Sequence, residues 1–286
     1  MANLRPLPAT PKRCEGGTAA FTLPKLRGRF AFTLQKVRAR TAFTLIELLI
    51  VTGIIALLMV LVIPAFTNIK SGGDVTRAAY TIKGVLETAR TYAKANNTYV
   101  WVGFFEEDVS QPSTNPATAG TGRIVMSVVA SKDGTTVYDP SSPATIDPTK
   151  LTQVGKLTKV ENAHFAGDTL FTNTPSTPTG STFNNRPPVT YRIASPPNSS
   201  PSTNSRTPFQ YPVGSPAPSA QYTFVKAVQF SPGGEARIDN SADYTLQTAA
   251  EIGLRATHGT TVDIVSPNVV AIQFTGVGGS VTIYRK

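Results

Sequence analysis

The first strong pattern in the chain is an uninterrupted apolar stretch near its amino terminus. Leu48–Phe66 comprises nineteen residues without a charged side chain. As a helix it would be about 28 Å long, close to the roughly 30 Å hydrocarbon layer of a bilayer. The pattern predicts a transmembrane half-helix over residues 43–70. Glu47 directly precedes the run, and acidic residues in such segments are usually functional because they are costly to bury.

A second periodic stretch follows and predicts an amphipathic half-helix over residues 71–97. Its apolar side chains recur at intervals of three and four residues: Val75, Ala78, Ala79, Ile82, Val85, Leu86, Ala89, Tyr92 and Ala93. Gly72-Gly73 indicates a bend or an unwound segment before it. Asp74 is a plausible N-cap, and Asn96-Asn97 is a plausible end. One face of this helix is expected to pack on a globular domain.

Residues 98–286 are predicted to form that β-rich globular domain. The strand-like runs are Tyr99–Phe105, Arg123–Ala130, Thr135–Tyr138, Lys156–Phe165, Tyr222–Phe230, Glu235–Ile238, Thr261–Val265, Val269–Thr275 and Ser280–Tyr284. They predict an antiparallel sheet lying on the amphipathic half-helix.

A segment rich in Pro, Ser, Thr and Asn interrupts these strands at about residues 172–221. It has few apolar groups to offset the entropy of ordering it, so we expect an extended surface loop or disorder. Val189–Ile193 is its only apolar stretch and could be an isolated strand. We favour a flexible surface segment without a binding role over a surface that contacts a partner.

The charge distribution separates the first 42 residues from the rest. The whole chain has a formal net charge of +10. Residues 1–42 hold nine Lys or Arg and one Glu, whereas the remainder is close to neutral. This distribution fits the positive-inside rule for a cytoplasmic flank and argues against nucleic acid as a partner. The only cysteine, Cys14, lies in this basic leader.

Basic residues, a small residue and the apolar run meet in one motif. The motif is Ala42-Phe43-Thr44-Leu45-Ile46-Glu47, preceded by Lys36, Arg38 and Arg40. It resembles the prepilin signal of type IV pilins and type II secretion pseudopilins. The resemblance implies cleavage between Ala42 and Phe43, N-methylation of Phe43, and an assembly role for Glu47. The family usually has Gly before the cut, so Ala42 implies slower processing.

The resemblance also implies a fold, partners and a location. The fold would be α+β and pilin-like, with a long N-terminal transmembrane helix spine packed on an antiparallel β-sheet domain. The partners would be a prepilin peptidase, other pilin or pseudopilin subunits and the bacterial inner membrane, with the globular domain outside the cytoplasm. Phe230-Ser231-Pro232-Gly233 and the terminal strand Val281–Arg285 are most similar to H-type minor pseudopilins.

The leader repeats part of the motif at a period of eleven residues. Ala20-Phe21-Thr22-Leu23 and Ala31-Phe32-Thr33-Leu34 precede Ala42-Phe43-Thr44-Leu45. Only the third copy has an acidic residue four positions after Phe and continues into an apolar segment. We interpret the first two copies as decoys that arose by duplication or by an over-extended gene start.

No pattern in the chain predicts catalysis, a cofactor or a metal. His164 and His258 favour surface or structural roles, and Trp101 favours the core. Glu106-Glu107-Asp108 is best interpreted as a solvated strand end. Gly276–Gly279 lacks the strand-to-helix context of a phosphate loop.

The sequence therefore predicts a structural protein and not an enzyme. The hypothesis is a minor subunit of a type II secretion pseudopilus or type IV pilus-like filament. The alternative hypothesis is a signal-anchored extracytoplasmic binding module that does not polymerise, in which Glu47 is a chance acidic residue near the membrane interface. An anchored enzyme is the third hypothesis.

Overall fold

The structure is a computed structural model that describes most of the chain from residue 43 onward. It describes residues 43–136, 148–167, 171, 182–189, 191–193, 209–238, 246 and 248–286. The chain divides into two compact units, Met1–Thr52 and Gly53–Lys286.

The first element is helix α1, Leu45–Asn96. It is helical at Gly72 and Gly73, so the chain is not unwound there, and the predicted N-cap at Asp74 is wrong. The Asp74 carboxylate instead accepts a hydrogen bond from Asn162 Nδ2 at 3.0 Å. The helix ends where predicted, because Asn97 adopts a left-handed conformation with φ of 48°.

Among the described residues, the rest of the fold consists mainly of strands, together with the short 3-10 helices Pro148–Lys150, Phe183–Asn185 and Ala217–Ser219. The strands are β1 Val100–Asp108, β2 Gly122–Ser131, β3 Leu151–Gln153, β4 Thr158–Glu161, β5 Ala163–Phe165, β6 Tyr191–Ile193, β7 Phe209–Tyr211, β8 Tyr222–Phe224, β9 Lys226–Phe230, β10 Ala236–Ile238, β11 Ala249–His258, β12 Thr261–Val262, β13 Val269–Thr275 and β14 Val281–Arg285.

The strands of the described chain pair into two large sheets and one hairpin. The first sheet has the order β10-β9-β1-β2-β3, and β4 also pairs with β2. The second has the order β12-β11-β13-β14, and β5 and β6 also pair with β11. The hairpin is β7-β8. Among the described strands, only β6 runs parallel to its partner, so both large sheets are mainly antiparallel.

The main core joins α1 to one face of each large sheet. The helix contributes Val75, Ala78, Ala79, Ile82, Leu86, Ala89 and Ala93, which matches the predicted apolar face. Phe104 of β1 meets Phe165 of β5 edge to face across this core, with ring centroids 5.8 Å apart. Three- and four-residue spacing places the helical side chains in one stripe, so the core buries them together.

The predicted fold class is wrong in two respects. Within the residues that the structure describes, no helix is long and apolar enough to span a membrane. The domain also contains two large, mainly antiparallel sheets rather than one. The strands of these sheets carry apolar side chains on both faces, so each face must be covered by other apolar side chains.

The Pro/Ser/Thr-rich insertion supplies part of that cover. Phe183 packs behind the second sheet with Phe171. Phe209 of β7 packs behind the first sheet, 5.1 Å from the Phe224 ring. Where it is described, the insertion is therefore ordered structure, and the expectation of a surface loop or disorder is wrong for these residues.

Several strand predictions differ from the structure. Lys156–Phe165 is two strands, β4 and β5, because Asn162 between them has a φ of 60°. Thr135 and Thr136 are not in a strand, and the remainder of Thr135–Tyr138 lies outside the described residues. Strand β11, which pairs with β5, β6, β12 and β13, was not predicted.

Candidate functional site

The predicted processing site lies at the edge of the described chain. Ala42 is outside the described residues, and Phe43 is 75% exposed. Glu47 lies in the first turn of α1 and is also exposed. The structure therefore places Phe43 and Glu47 at the accessible start of the helix.

Thr44 caps this helix and gives Glu47 a local role. The Glu47 backbone N–H lies 3.3 Å from Thr44 Oγ1 and 3.1 Å from the Thr44 carbonyl oxygen. Thr and Glu three residues apart at a helix start form the sequence pattern of a capping box. A carboxylate in the first turn also interacts favourably with the helix dipole. Glu47 therefore favours helix initiation whether or not it has a partner in another chain.

The first part of α1 presents an apolar surface, which we call the apolar helix surface. Every side chain described between positions 43 and 62 is exposed. Its large members are Phe43, Leu45, Ile46, Leu48, Leu49, Ile50, Val51, Ile54, Ile55, Leu57, Leu58, Met59, Val60 and Val62. These positions lie on all sides of a helix with 3.6 residues per turn.

A second group of interest is the buried carboxylate of Glu106. Its Oε1 lies 2.7 Å from His164 Nδ1 and accepts a hydrogen bond from the Gly122 N–H at 3.2 Å. Its Oε2 accepts a hydrogen bond from the Phe165 N–H at 3.5 Å. Glu106 belongs to the first sheet, whereas His164 and Phe165 belong to the second. The prediction of a solvated strand end is wrong here, because β1 continues to Asp108 and buries Glu106.

Lys226 lies near the same carboxylate and is fully buried. Burial lowers the pKa of Lys226 to about 8, and the negative charge of Glu106 opposes part of that shift. Because the amine has no exposed surface, it is not placed to meet a substrate. We interpret it as part of the core.

Glu107 points to the opposite face of β1 and is also buried. Its carboxylate lies 3.2 Å from Arg123 NH1 and 3.5 Å from Lys159 Nζ, and it accepts a hydrogen bond from the Tyr222 hydroxyl at 3.3 Å. Lys159 Nζ also donates to Tyr222 at 2.7 Å. The group fixes β4 and β8 to the first sheet.

The third buried carboxylate, Glu251 of β11, anchors the insertion. Arg186 donates to it through Nε at 2.6 Å and NH2 at 3.3 Å. Arg192 Nε donates at 2.8 Å and Gln273 Nε2 at 2.8 Å. The Arg186 guanidinium also lies 4.2 Å from the Phe183 ring centroid. Each carboxylate oxygen is thus paired, which a buried charge requires.

Sequence reasoning named Glu106 and Glu107 but misinterpreted them as a solvated strand end, and it missed Glu251, although a signal for Glu251 existed. Ala250, Ile252, Leu254 and Ala256 alternate with polar or small residues, which is the two-residue period of a strand. The carboxylates lie in separate clusters. In the described part of the chain, no group of three or more His, Cys, Asp or Glu is placed to hold a metal ion.

Comparisons with protein-family models, with curated proteins and with solved structures found no match. The functional interpretation therefore depends on the residues of this chain alone.

Proposed function

We propose that this chain is a structural subunit, of minor abundance, in a type II secretion pseudopilus or type IV pilus-like filament. A prepilin peptidase cuts before Phe43, and the new amino terminus is methylated. Two features support the proposal: the motif Ala42–Glu47 with its basic flank, and the apolar helix surface that follows it.

The exposure of the apolar helix surface carries the proposal. A helix that is apolar on all sides is normally buried in a larger assembly or in a membrane. Here Leu45, Leu57 and Val60 are among the most exposed side chains of the helix. Packing against the same segment of neighbouring subunits would remove this area from water, which is the main favourable term in association.

Glu47 gives such packing a preferred axial position. A carboxylate carried into an apolar interface is strongly disfavoured without a partner and tolerated with one. In the proposed filament the partner is the amine of a neighbour's Phe43. Pairing at one offset only would fix the register of the subunits.

The capping geometry at Thr44 is also expected for the alternative, an anchored binding module that does not polymerise. In that case Glu47 serves only to start the helix, and its charge has no partner. The substitution Glu47→Gln separates the two functions, because Gln at this position of a capping box retains the cap while losing the charge.

The mature amino terminus tests the processing step. Mass spectrometry of the chain from its native host should find N-methyl-Phe43 as the first residue. An intact leader, or a cut after Ala20 or Ala31, would contradict the proposal.

The variant Glu47→Gln tests the assembly step. Processing should be normal, while recovery in sheared fibres or cross-linked assemblies should be lost. Glu87→Gln is the matched control, since Glu87 lies on the same helix, is half exposed and pairs only with Lys83 at 3.5 Å. Normal incorporation of Glu47→Gln would favour the anchored module.

The proposal places the unassembled subunit in the bacterial inner membrane. In the described residues, no helix is long and apolar enough to span a membrane. Alkaline extraction of isolated inner membranes tests this location, because it releases peripheral proteins and retains proteins that are inserted in the bilayer. Full release of the processed chain into the soluble fraction would overturn the location but leave the filament proposal open.

A further inference from the structure

Two adjacent apolar side chains are exposed in the globular part of the chain. Beyond residue 62, the large exposed apolar side chains among the described residues are Tyr80, Ile264, Val265 and Val277. The exposed fraction is 72% for Ile264 and 89% for Val265. Single exposed apolar side chains are normal on protein surfaces, so the adjacent pair is the feature that needs an explanation.

The pair lies in a short protrusion from the second sheet. The Asp263 N–H donates a hydrogen bond to the Ala256 carbonyl oxygen at 2.9 Å, and Val269 is paired with Arg255. Residues 264–268 are therefore looped out between two consecutive positions of β11. We call them the 264–268 protrusion.

Hydrogen bonds hold the 264–268 protrusion in one conformation. Asp263 Oδ1 accepts from the N–H groups of Val265 at 3.2 Å and Ser266 at 2.8 Å. Arg255 NH1 donates to the carbonyl oxygens of Asp263 and Ile264, each at 3.3 Å. Because the backbone is already ordered, a partner that covers Ile264 and Val265 meets little further cost in conformational entropy.

The protrusion lies beside helix α1. A Cβ atom at Gly72 would be 3.2 Å from Asn268 Nδ2, at the base of the protrusion. Beyond the other end of β13, a Cβ atom at Gly279 would be 3.2 Å from Arg90 Cδ. Strand β13 therefore runs alongside α1 in the same direction, with the protrusion at the end nearer to the start of the helix. Gly72 follows Val62, the last member of the apolar helix surface, by ten residues, about 15 Å of helix.

We propose that the 264–268 protrusion packs on the uncharged apolar helix of a neighbouring filament subunit. The inference rests on the proposed filament, in which amino-terminal helices pack side by side. A helix that passes α1 at the level of Gly72 meets Ile264 and Val265, and the contact removes apolar groups of both partners from water. The neighbour's segment has the chemistry of residues 48–62 of this chain, which carry no charge.

The pairing proposed for Glu47 decides which neighbour reaches the protrusion. Pairing of Phe43 in one subunit with Glu47 in another displaces the two helices by four residues, about 6 Å. A helix must be displaced by at least ten residues to bring position 62, or an earlier one, level with Gly72. The partner is therefore a subunit at least three such steps further along the filament, and at three steps its position 60 is level with Gly72.

A photocrosslinking amino acid in place of Val265 tests the contact. The full-length chain is expressed in its native host, the sheared fibres are irradiated, and the cross-linked peptide is identified by mass spectrometry. The peptide should come from the apolar run that follows the methylated amino terminus of a processed subunit. The same amino acid in place of Val277 is the matched control, because Val277 is 75% exposed and lies beyond the opposite end of β13. It should give severalfold less of this product.

A double variant measures what the contact contributes to assembly. Ile264→Ser combined with Val265→Ser removes the apolar side chains and keeps the backbone hydrogen bonds of the protrusion. Recovery of the chain in sheared fibres should fall severalfold, while processing and the melting temperature stay unchanged. Val277→Ser is the control and should be recovered like the wild type.

Two results would overturn this inference and leave the filament proposal standing. In the first, the chain enters fibres, but the Val265 position cross-links to phospholipid or to a neighbour's globular domain. In the second, the double variant is recovered in fibres at the wild-type level. Absence of the wild-type chain from fibres would instead overturn the filament proposal, and this inference with it.

Discussion

The Nδ1 atom of His164 lies 2.7 Å from the Oε1 atom of Glu106, and this contact joins the two large sheets. Glu106 belongs to β1 of the first sheet, and His164 belongs to β5, which pairs with β11 of the second. The carboxylate is fully buried. Each sheet thus contributes one of the two residues of this polar contact, which lies inside a mainly apolar core.

Replacing His164 by Ala should destabilise the protein. The buried Glu106 carboxylate would lose its shortest contact, and leaving a buried polar group under-satisfied costs about 1–3 kcal/mol. We expect that loss in the free energy of unfolding, measured with chemical denaturant. His258→Ala is the control, because His258 is half exposed and 3.8 Å from Asp263, so its change should stay below about 0.5 kcal/mol. Equal effects of the two variants would contradict a special role for the Glu106 contact.

Lys226 should make stability depend on pH above neutrality. Its pKa in the folded protein is lowered to about 8 from the ordinary value of 10.5. Between these values the unfolded chain binds more protons than the folded one, so the free energy of unfolding rises with pH. The rise from this group is at most about 1.4 kcal/mol per pH unit.

The variant Lys226→Met should remove this contribution. Denaturant unfolding at pH 7, 8, 9 and 10 gives the slope for each protein. The exposed Lys156, changed to Met, serves as the control and should keep the wild-type slope. A slope that is identical in all three proteins would show that Lys226 titrates at its ordinary value.

Arg186 should matter for the insertion as well as for global stability. Its replacement by Met removes two hydrogen bonds to Glu251 and one each to the carbonyl oxygens of Phe183 and Phe171. Breaking a buried ion pair costs about 3–5 kcal/mol. We therefore expect a loss near the lower limit, because Arg192 and Gln273 still contact Glu251.

Limited proteolysis gives a second measure of the same variant. In the wild-type protein residues 182–193 should be protected, and in Arg186→Met they should be cut early. Arg285→Met, at an exposed position, is the control and should behave like the wild type. Rapid cleavage of the wild type within 182–193 would contradict the packing of this segment.

Gly253 should not tolerate a side chain. A Cβ atom there would collide with the carbonyl oxygen of Ala166 and lie 2.8 Å from the Phe171 ring. Overpacking of this kind costs about 1–3 kcal/mol, so Gly253→Ala should lower the melting temperature. Gly233→Ala is the control, since its Cβ would have no neighbour closer than 3.6 Å. An unchanged melting temperature for Gly253→Ala would mean that the Phe171 segment moves aside.

The sequence by itself determined the elements whose signal is local. The stripe from Val75 to Ala93 has helical spacing, and the helix indeed buries it. The runs at Val269–Thr275 and Ser280–Tyr284 predicted β13 and β14 to within about one residue. Periodicity succeeds here because each side chain's direction follows from its own backbone conformation.

Local signals were insufficient where a position depends on a remote partner. Glu106 looked like a solvated strand end, yet its partner His164 is 58 positions away. The insertion looked too polar to order, yet Arg186 pairs with Glu251, 65 positions away. The amino-acid composition of a segment gives its number of apolar groups, but it does not show which of its charged residues pair with residues far away in the sequence.

The same distinction applies to the processing motif and to the buried polar groups. The motif at Ala42–Glu47 and the apolar run were readable from the sequence alone, because both are contiguous. The donors Gln229 Nε2 and Trp101 Nε1, which lack an acceptor among the described residues, were not, because only the folded chain shows which buried donors have no acceptor nearby. Strand pairing aligned those two residues, and burial removed the water that would otherwise satisfy them.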